Sequence, residues 1–141
     1  MSRVLSHTTQ IHVRFSECDP LNIVWHGNYV KYFEDGREDF GRTYNFSYLE
    51  LYAKNGVSVP LVHLEMDYKK SVSFGETITV ETTFVDDPAA KIVFKYKIFN
   101  SNNDLVCTGK TIQVFLDTEK KELLITMPAF FEAWKNEFLT K

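Results

Sequence analysis

Residues 16–35, SECDPLNIVWHGNYVKYFED, decide the fold, because the spacing of hydrophobic side chains changes within this stretch. Asp19 and Pro20 form a dipeptide that is typical of turns. From residue 28 onward, aromatic residues and one glycine recur at helical spacing: Tyr29, Phe33, Gly36 and Phe40. This spacing predicts a helix from Asn28, with Gly27 or Asn28 as its N-cap, and the broad apolar stripe predicts that the helix is largely buried.

Strand patterns lie on both sides of this helix. Residues 8–15, TTQIHVRF, alternate between apolar and polar side chains, which predicts a strand with one solvated face. After Gly56 the chain carries four more strand patterns, at residues 57–74, 76–87, 91–100 and 105–117. Because short turns join these strands, we expect them to be antiparallel. Two further helices are predicted, at residues 47–56 with Ser47 as cap and at residues 127–138 with Pro128 in the first position.

The order of these elements predicts an α+β fold. A long helix with apolar residues nearly all round needs a sheet that curls around it. An antiparallel sheet wrapped around one long buried helix is a hotdog fold. Gly36 inside the helix costs about 1 kcal/mol relative to alanine, so we expect the backbone of a neighbouring element to approach closely there.

The composition fits one domain spanning residues 1–141, with 44% hydrophobic residues to form a core. A net charge of −3 without a basic stripe argues against a nucleic-acid partner. No run approaches the roughly 18 apolar residues of a membrane span, and MSRVLSHTTQ at the N-terminus has no apolar core of signal-peptide length. Two cysteines do not make a disulfide framework. We therefore expect a cytoplasmic protein without a membrane span.

The turn and the helix start carry a family resemblance. Residues 15–34, FSECDPLNIVWHGNYVKYFE, resemble the signature of the 4-hydroxybenzoyl-CoA thioesterase family of hotdog proteins. They are also similar to the bacterial short-chain acyl-CoA thioesterases associated with the Tol-Pal system. Residues 66–82, MDYKKSVSFGETITVET, resemble the second strand pair of the family. The resemblance implies an acyl-CoA thioesterase without a cofactor, which forms a homodimer or homotetramer with its active site at the subunit interface.

The resemblance also implies roles for single residues. The catalytic carboxylate of the family corresponds to Asp19, and its oxyanion donor corresponds to the backbone amide of His26. Related enzymes carry a histidine here as well, so the His26 side chain is a candidate for orienting the carbonyl or a water. Asn22 stands where glycine is usual, but asparagine tolerates the left-handed conformation of such a turn. Trp25 replaces a smaller aromatic residue, and Gly36 replaces a usual alanine.

The chemistry of a thioester explains why few groups suffice. The thiolate is a good leaving group, so the site needs a donor for the carbonyl, a source of oxygen and a place for the substrate. The first turn of a helix offers free N–H groups at the positive end of its dipole. One such donor aimed at an oxyanion contributes roughly 3 kcal/mol. Asp19 either attacks the carbonyl directly or deprotonates a water, and the sequence leaves both routes open.

Five further residues are candidates for binding the substrate: Trp25, Asn28, Tyr29, Lys69 and Lys70. The two aromatic residues suit an acyl pocket as well as they suit core or dimer packing. The two lysines are candidates for binding the CoA phosphates, although a solvated strand face is the plainer interpretation. The histidines show no spacing typical of a metal site.

Several alternatives stay open in the sequence. Glu34, one helical turn from Glu38, is a second candidate for the catalytic carboxylate. Cys18 and His26 are a candidate nucleophilic pair, although a buried small hydrophobic role suits the cysteine better. A non-catalytic hotdog module that binds acyl-CoA is one alternative function. A thioesterase acting on acyl carrier protein is another, but the net charge of −3 gives little support to an acidic carrier as partner.

Overall fold

The computed structural model describes residues 4–139, which form one large sheet, one small sheet and three α-helices. The strands are β1 (Val4–His12), β2 (Val57–Ser58), β3 (Leu61–Tyr68), β4 (Thr77–Val85), β5 (Lys91–Phe99), β6 (Leu105–Val114), β7 (Leu116–Asp117) and β8 (Glu122–Leu123). The helices are α1 (Tyr29–Thr43), α2 (Tyr48–Asn55) and α3 (Ala129–Leu139). Two short 3₁₀ turns, Phe15–Glu17 and His26–Asn28, precede α1.

The large sheet has the strand order β1-β4-β5-β6-β3, and every neighbouring pair is antiparallel. Alternation places the core on one face of this sheet. The inward residues of β4 and β5 are all at most 2% exposed: Ile78, Val80, Thr82, Phe84, Ile92, Phe94, Tyr96 and Ile98. The period-two spacing of both strands is therefore confirmed. With α1 packed on the same sheet, the predicted α+β hotdog fold is confirmed as well.

Helix α1 is buried along one side only, which corrects the expectation of a helix that is apolar nearly all round. Its buried residues are Tyr29, Tyr32, Phe33, Gly36, Phe40 and Gly41. Its exposed residues include Lys31, Glu34, Asp35, Glu38 and Arg42. The sheet covers α1 from one side, mainly through β1 and β4, so the opposite side of the helix remains available to solvent.

Gly36 lies where α1 approaches the sheet closely, as expected. A Cβ atom at this position would collide with Oγ1 of Thr82 and would lie 3.1 Å from Cγ1 of Val80, both on β4. Gly109 on β6 plays the same part for Phe33, because a side chain at residue 109 would overlap the phenyl ring. These two glycines allow α1 to pack at short distance on the strands beneath it.

Three predicted boundaries were wrong by a few residues. Strand β1 begins at Val4 and ends at His12, because its ladder with β4 ends where Thr77 begins that strand. Phe15, expected on the apolar face, is 73% exposed and begins a 3₁₀ turn. The last long strand, predicted to run through residue 117, is interrupted at Phe115, between β6 and β7. Pro128, predicted as the first helical residue, instead precedes α3, and its carbonyl accepts the first helical hydrogen bonds.

The caps of α2 are confirmed. Ser47 accepts a hydrogen bond from the N–H of Glu50 at 3.3 Å, and Gly56 ends the helix in the left-handed conformation with φ of 63°. None of the helices within residues 4–139 is long and apolar enough to cross a membrane.

Candidate active site

A closed turn holds Asp19 upstream of α1. Cys18 and Val24 form an isolated antiparallel bridge, and the N–H of Asp19 donates to the carbonyl of Ile23 at 2.8 Å. The N–H of Asn22 donates back to the Asp19 carbonyl at 2.9 Å. Asn22 has a φ of 65°, so the left-handed conformation expected of it is confirmed.

This turn is anchored to the sheet side and to the helix side. The N–H of Val24 donates to the carbonyl of Val72 at 2.8 Å. The carbonyl of Glu17 accepts both the N–H of Trp25 at 2.9 Å and the side-chain amide of Asn28 at 2.7 Å. One carbonyl group therefore connects the turn to the start of the helix.

The two carboxylate oxygens of Asp19 have different surroundings. Oδ1 accepts the N–H of Leu21 at 2.9 Å, a hydrogen bond that stabilises turns of this kind. Oδ2 makes no hydrogen bond within residues 4–139, and the residue is only partly buried. One oxygen thus stabilises the turn while the other is available to a substrate or a water.

The free donors of the helical segment belong to His26 and Gly27, two residues before the predicted start. The 3₁₀ turn at residues 26–28 runs directly into α1, and its first hydrogen bond is from the N–H of Asn28 to the Trp25 carbonyl at 2.9 Å. Within residues 4–139, the N–H of His26 makes no hydrogen bond. It is therefore an unpaired donor at the positive end of the segment.

A cavity of about 320 Å³ borders His26 and brings four of the predicted residues together. They are His26, Tyr29, Lys69 and Lys70. Tyr68 also lines it, and its hydroxyl donates to the His26 carbonyl at 2.8 Å, which connects the end of β3 to the helix start. Burial raises the pKa of Tyr29 to about 12, so this hydroxyl remains protonated and can donate a hydrogen bond.

Three predicted residues do not line this cavity: Asp19, Trp25 and Asn28. Trp25 is about half exposed, and its ring centroid lies 4.9 Å from that of His26. Asn28 is buried, and its amide is committed to the Glu17 carbonyl, so the structure gives it a role in holding the turn.

The roles of Tyr68 and Glu17 were not predicted from the sequence. The Tyr68 ring packs edge-on against Tyr29 at 5.2 Å, and Glu17 accepts the Tyr32 hydroxyl at 3.1 Å through Oε1. The position of Tyr68 directly before Lys69 was the single available signal. For the contact of Glu17 with Tyr32 there was none, because Tyr32 lies on α1, although Oε1 of Glu17 also accepts the N–H of Arg14 at 2.8 Å within its own turn.

Local contacts weaken two alternatives. The thiol of Cys18 donates to the Arg14 carbonyl at 3.7 Å, and burial, with the charges of Glu17 and Asp19, raises its pKa. A protonated thiol is a weak nucleophile, which argues against a pair with His26. Glu34 is exposed on α1 and lines a different cavity from the one beside His26.

Known sequences resemble this chain over most of its length. The profile of the Thioesterase-like superfamily matches residues 13–135. A protein of Bacillus subtilis (strain 168), named "Putative acyl-CoA thioesterase YneP", is 34% identical over 110 residues, which cover 78% of this chain and 79% of the relative.

Solved structures agree with this similarity. DHNA-CoA thioesterase from Staphylococcus aureus superposes with a TM-score of 0.83 at 30% identity, over 94% of this chain and 90% of the other. 4-Hydroxybenzoyl-CoA thioesterase from Pseudomonas sp. strain CBS-3 superposes with a TM-score of 0.80 at 22% identity, over 94% and 99% of the two chains, and supports the fold alone. The chain therefore belongs to the Thioesterase-like superfamily and is a thioesterase with the hotdog fold.

Proposed function

We propose that this chain hydrolyses an acyl-CoA thioester to a free acid and CoA, with Asp19 as the reacting carboxylate. The observation that carries the proposal is the unpaired N–H of His26 beside a cavity. It follows directly after a hydrogen-bonded turn in which Oδ2 of Asp19 accepts no hydrogen bond within residues 4–139. Thioester hydrolysis requires a carboxylate that is already held in place and a hydrogen-bond donor for the oxyanion that needs no rearrangement.

The N–H of His26 stabilises the developing negative charge. When a nucleophile adds to the thioester carbon, the carbonyl oxygen becomes an oxyanion, and this donor at the positive helix end binds it. The hydroxyl of Tyr68 and the N–H of Tyr29 both donate to the His26 carbonyl, so the backbone here is fixed before the substrate arrives. A fixed donor of this kind lowers the activation free energy by roughly 3 kcal/mol.

Asp19 acts by one of two routes. In the first, a carboxylate oxygen attacks the thioester carbon, the C–S bond breaks and CoA leaves as a thiolate; water then hydrolyses the acyl anhydride and restores the carboxylate. In the second, the carboxylate takes a proton from a water whose oxygen attacks the same carbon, and the leaving thiolate finally receives the proton.

Residues around the cavity would bind the rest of the substrate. Lys69 and Lys70 line it and are the proposed ligands of the CoA phosphates. Lys70 already pairs with Asp104 at 3.4 Å, while Lys69 has no ion pair within residues 4–139, so Lys69 is the stronger candidate. Trp25 and Tyr29 provide aromatic surface next to His26 for the acyl group or the pantetheine arm.

We also infer a homodimer, alone or paired into a tetramer, with the active site at the subunit interface. Strand β3 is an edge of the large sheet and displays several exposed apolar side chains: Leu61, Val62, Leu64 and Tyr68. An unpaired apolar edge is a template for another strand. Since Tyr68 also lines the cavity, a second chain paired along β3 would border the substrate.

Thiol release from a panel of CoA esters tests the proposed function. The panel holds a short aliphatic, a long aliphatic and a benzoyl ester, and the DHNA ester suggested by the name of the Staphylococcus aureus relative. We expect turnover of at least one ester, and a fall in kcat of roughly 100-fold in Asp19→Asn. Asparagine keeps an oxygen for the Leu21 N–H, so this variant should melt like wild type, whereas Asp19→Ala should lose stability as well.

Glu34→Gln is the matched control, since it removes a carboxylate from the exposed side of α1. It should retain wild-type turnover. Loss of turnover in Glu34→Gln with full activity in Asp19→Asn would transfer the role to Glu34. Binding of the esters without hydrolysis would identify a non-catalytic module. Hydrolysis of acyl carrier protein thioesters alone would show that acyl carrier protein, and not CoA, carries the substrate.

A further inference from the structure

A second cavity, of about 630 Å³, borders residues 34–42 of α1, further along the helix than the chemistry proposed above. It is formed between α1, α2 and the segment that leads into β3, and none of its lining residues lines the cavity beside His26. Its volume falls within the range of about 300–1,000 Å³ that small-molecule sites occupy. Its walls carry aromatic surface from Phe46, Tyr48 and Tyr52.

Arg37 contributes a guanidinium to this cavity. Nη1 donates to the Tyr96 hydroxyl at 2.9 Å, and Nε is buried without a hydrogen-bond partner within residues 4–139. In the same part of the chain no carboxylate forms an ion pair with its guanidinium. Burial acts to lower the pKa of Arg37, but its interaction with Tyr96 and the charge of Glu34 outweigh burial, so the pKa is raised and the cation is retained. The N–H at Nε still lacks an acceptor, which an anionic ligand would supply.

The two phenols beside Arg37 are held in place and are neutral, whereas Glu34 and Glu38 also line the cavity and carry carboxylates. The Tyr96 hydroxyl is within 2.6 Å of Oγ1 of Thr111, and the Tyr48 hydroxyl donates to Oε1 of Gln113 at 3.0 Å. Burial raises the pKa of Tyr48 to about 12 and also raises that of Tyr96, so neither phenol supplies negative charge. The guanidinium is therefore fixed in position, Glu38 is already paired with Arg42, and Glu34 favours the positive charge without forming an ion pair with it.

We propose that this cavity binds an aryl carboxylate, whose carboxylate pairs with Arg37 and whose ring contacts Phe46, Tyr48 and Tyr52. A planar guanidinium matches a carboxylate in geometry as well as in charge. The carboxylate has two sources: a free aromatic acid, or a second carboxylate on the acyl group of a thioester. Binding of a free acid does not depend on hydrolysis, so this inference and the proposed function can fail separately.

Calorimetry with benzoate as the probe tests the free-acid source. Wild-type protein should bind benzoate, and should bind the neutral analogue benzamide at least about tenfold more weakly, because the charge-assisted hydrogen bonds are lost. Arg37→Gln should weaken benzoate binding by a similar factor. The comparison of benzoate with benzamide needs no variant, so it remains decisive even if Arg37→Gln unfolds.

Arg42→Gln is the matched control. Arg42 also lines the cavity and carries the same charge, but its side chain is 64% exposed and already pairs with Glu38 and Asp39. Solvent screens such a charge, so benzoate affinity should change by less than about threefold. Equal losses in Arg42→Gln and Arg37→Gln would reduce the effect to overall charge and overturn the site.

Hydrolysis kinetics distinguish the second source. If the carboxylate belongs to the acyl group, Arg37→Gln should raise KM for 4-carboxybenzoyl-CoA by about tenfold or more and leave KM for benzoyl-CoA unchanged. Wild-type protein that binds benzoate and benzamide equally, together with no such difference in KM between the two esters, would overturn the proposal.

Discussion

At the scale of single residues, Asp39 shows how one carboxylate joins α1 to β1. Its Oδ2 accepts hydrogen bonds from Nε2 of His7 at 2.7 Å and from the hydroxyl of Thr9 at 2.8 Å. Burial acts to raise the pKa of Asp39, but these two hydrogen bonds and the charge of Arg42 outweigh it and hold the pKa below its ordinary value. The ionised carboxylate therefore stabilises the contact between helix and strand.

Asp39→Asn is expected to destabilise the fold in a pH-dependent way. A carboxyl group whose pKa is lower in the folded chain stabilises the fold above its unfolded pKa, about 3.9, and loses that contribution as the pH falls through the folded value. Urea midpoints of wild type and variant should differ at about pH 6 and converge only as the pH falls through the lowered folded pKa of Asp39. Glu38→Gln, an exposed neighbour, should show little difference at either pH, and a constant gap for Asp39→Asn would contradict the assignment.

Residues of the candidate site were predictable where their surroundings are local in sequence. The Asp-Pro turn, the left-handed Asn22 and the helix donors near His26 all follow from a stretch of fewer than ten residues, because turns and helix starts are local structures. Tyr68 and Arg37 were not recognised, since their partners lie 42 and 59 positions away. Such contacts depend on which strand comes to lie under which helix.

At the scale of elements, the contact between Gly36 and Thr82 sets how closely α1 lies on β4. Alanine at residue 36 would gain about 1 kcal/mol of helix propensity but would force its Cβ against the Thr82 hydroxyl. We expect Gly36→Ala to lower the free energy of unfolding by about 1 kcal/mol in wild type and to be neutral or stabilising in a Thr82→Ala background. Chemical denaturation of the four proteins measures this, and equal effects in both backgrounds would show that the contact is unimportant.

Element types were predictable from spacing, while element ends were not. Period-two and helical patterns identified the four long strands after Gly56 and all three α-helices, because burial on one face imposes those periods. The end of β1 at His12 depends instead on where β4 begins, at Thr77. The solvated side of α1 likewise follows from its position over β1 and β4, which no local pattern reveals.

At the scale of the whole molecule, β3 is the edge strand of the large sheet that borders the cavity beside His26. It pairs with β6 on one side, and within residues 4–139 no strand covers its other edge. Leu64 on this strand is 37% exposed, and Tyr68 at its end borders the cavity beside His26. A second copy paired here would bury the apolar edge. It would also complete one wall of the cavity beside His26 in each of the two subunits. Assembly and turnover should therefore depend on the same strand.

Leu64→Glu is expected to abolish both assembly and turnover. A carboxylate on the edge strand would be desolvated in a paired sheet, which costs several kcal/mol. Sedimentation velocity should show a dimer, or a tetramer of paired dimers, for wild type and a monomer for the variant, with circular dichroism showing an intact fold. Leu49→Glu places the same charge on α2, at a leucine that is 83% exposed, and should leave assembly and activity unchanged. A wild-type monomer with full turnover would show that one chain holds a complete active site and would contradict the shared interface.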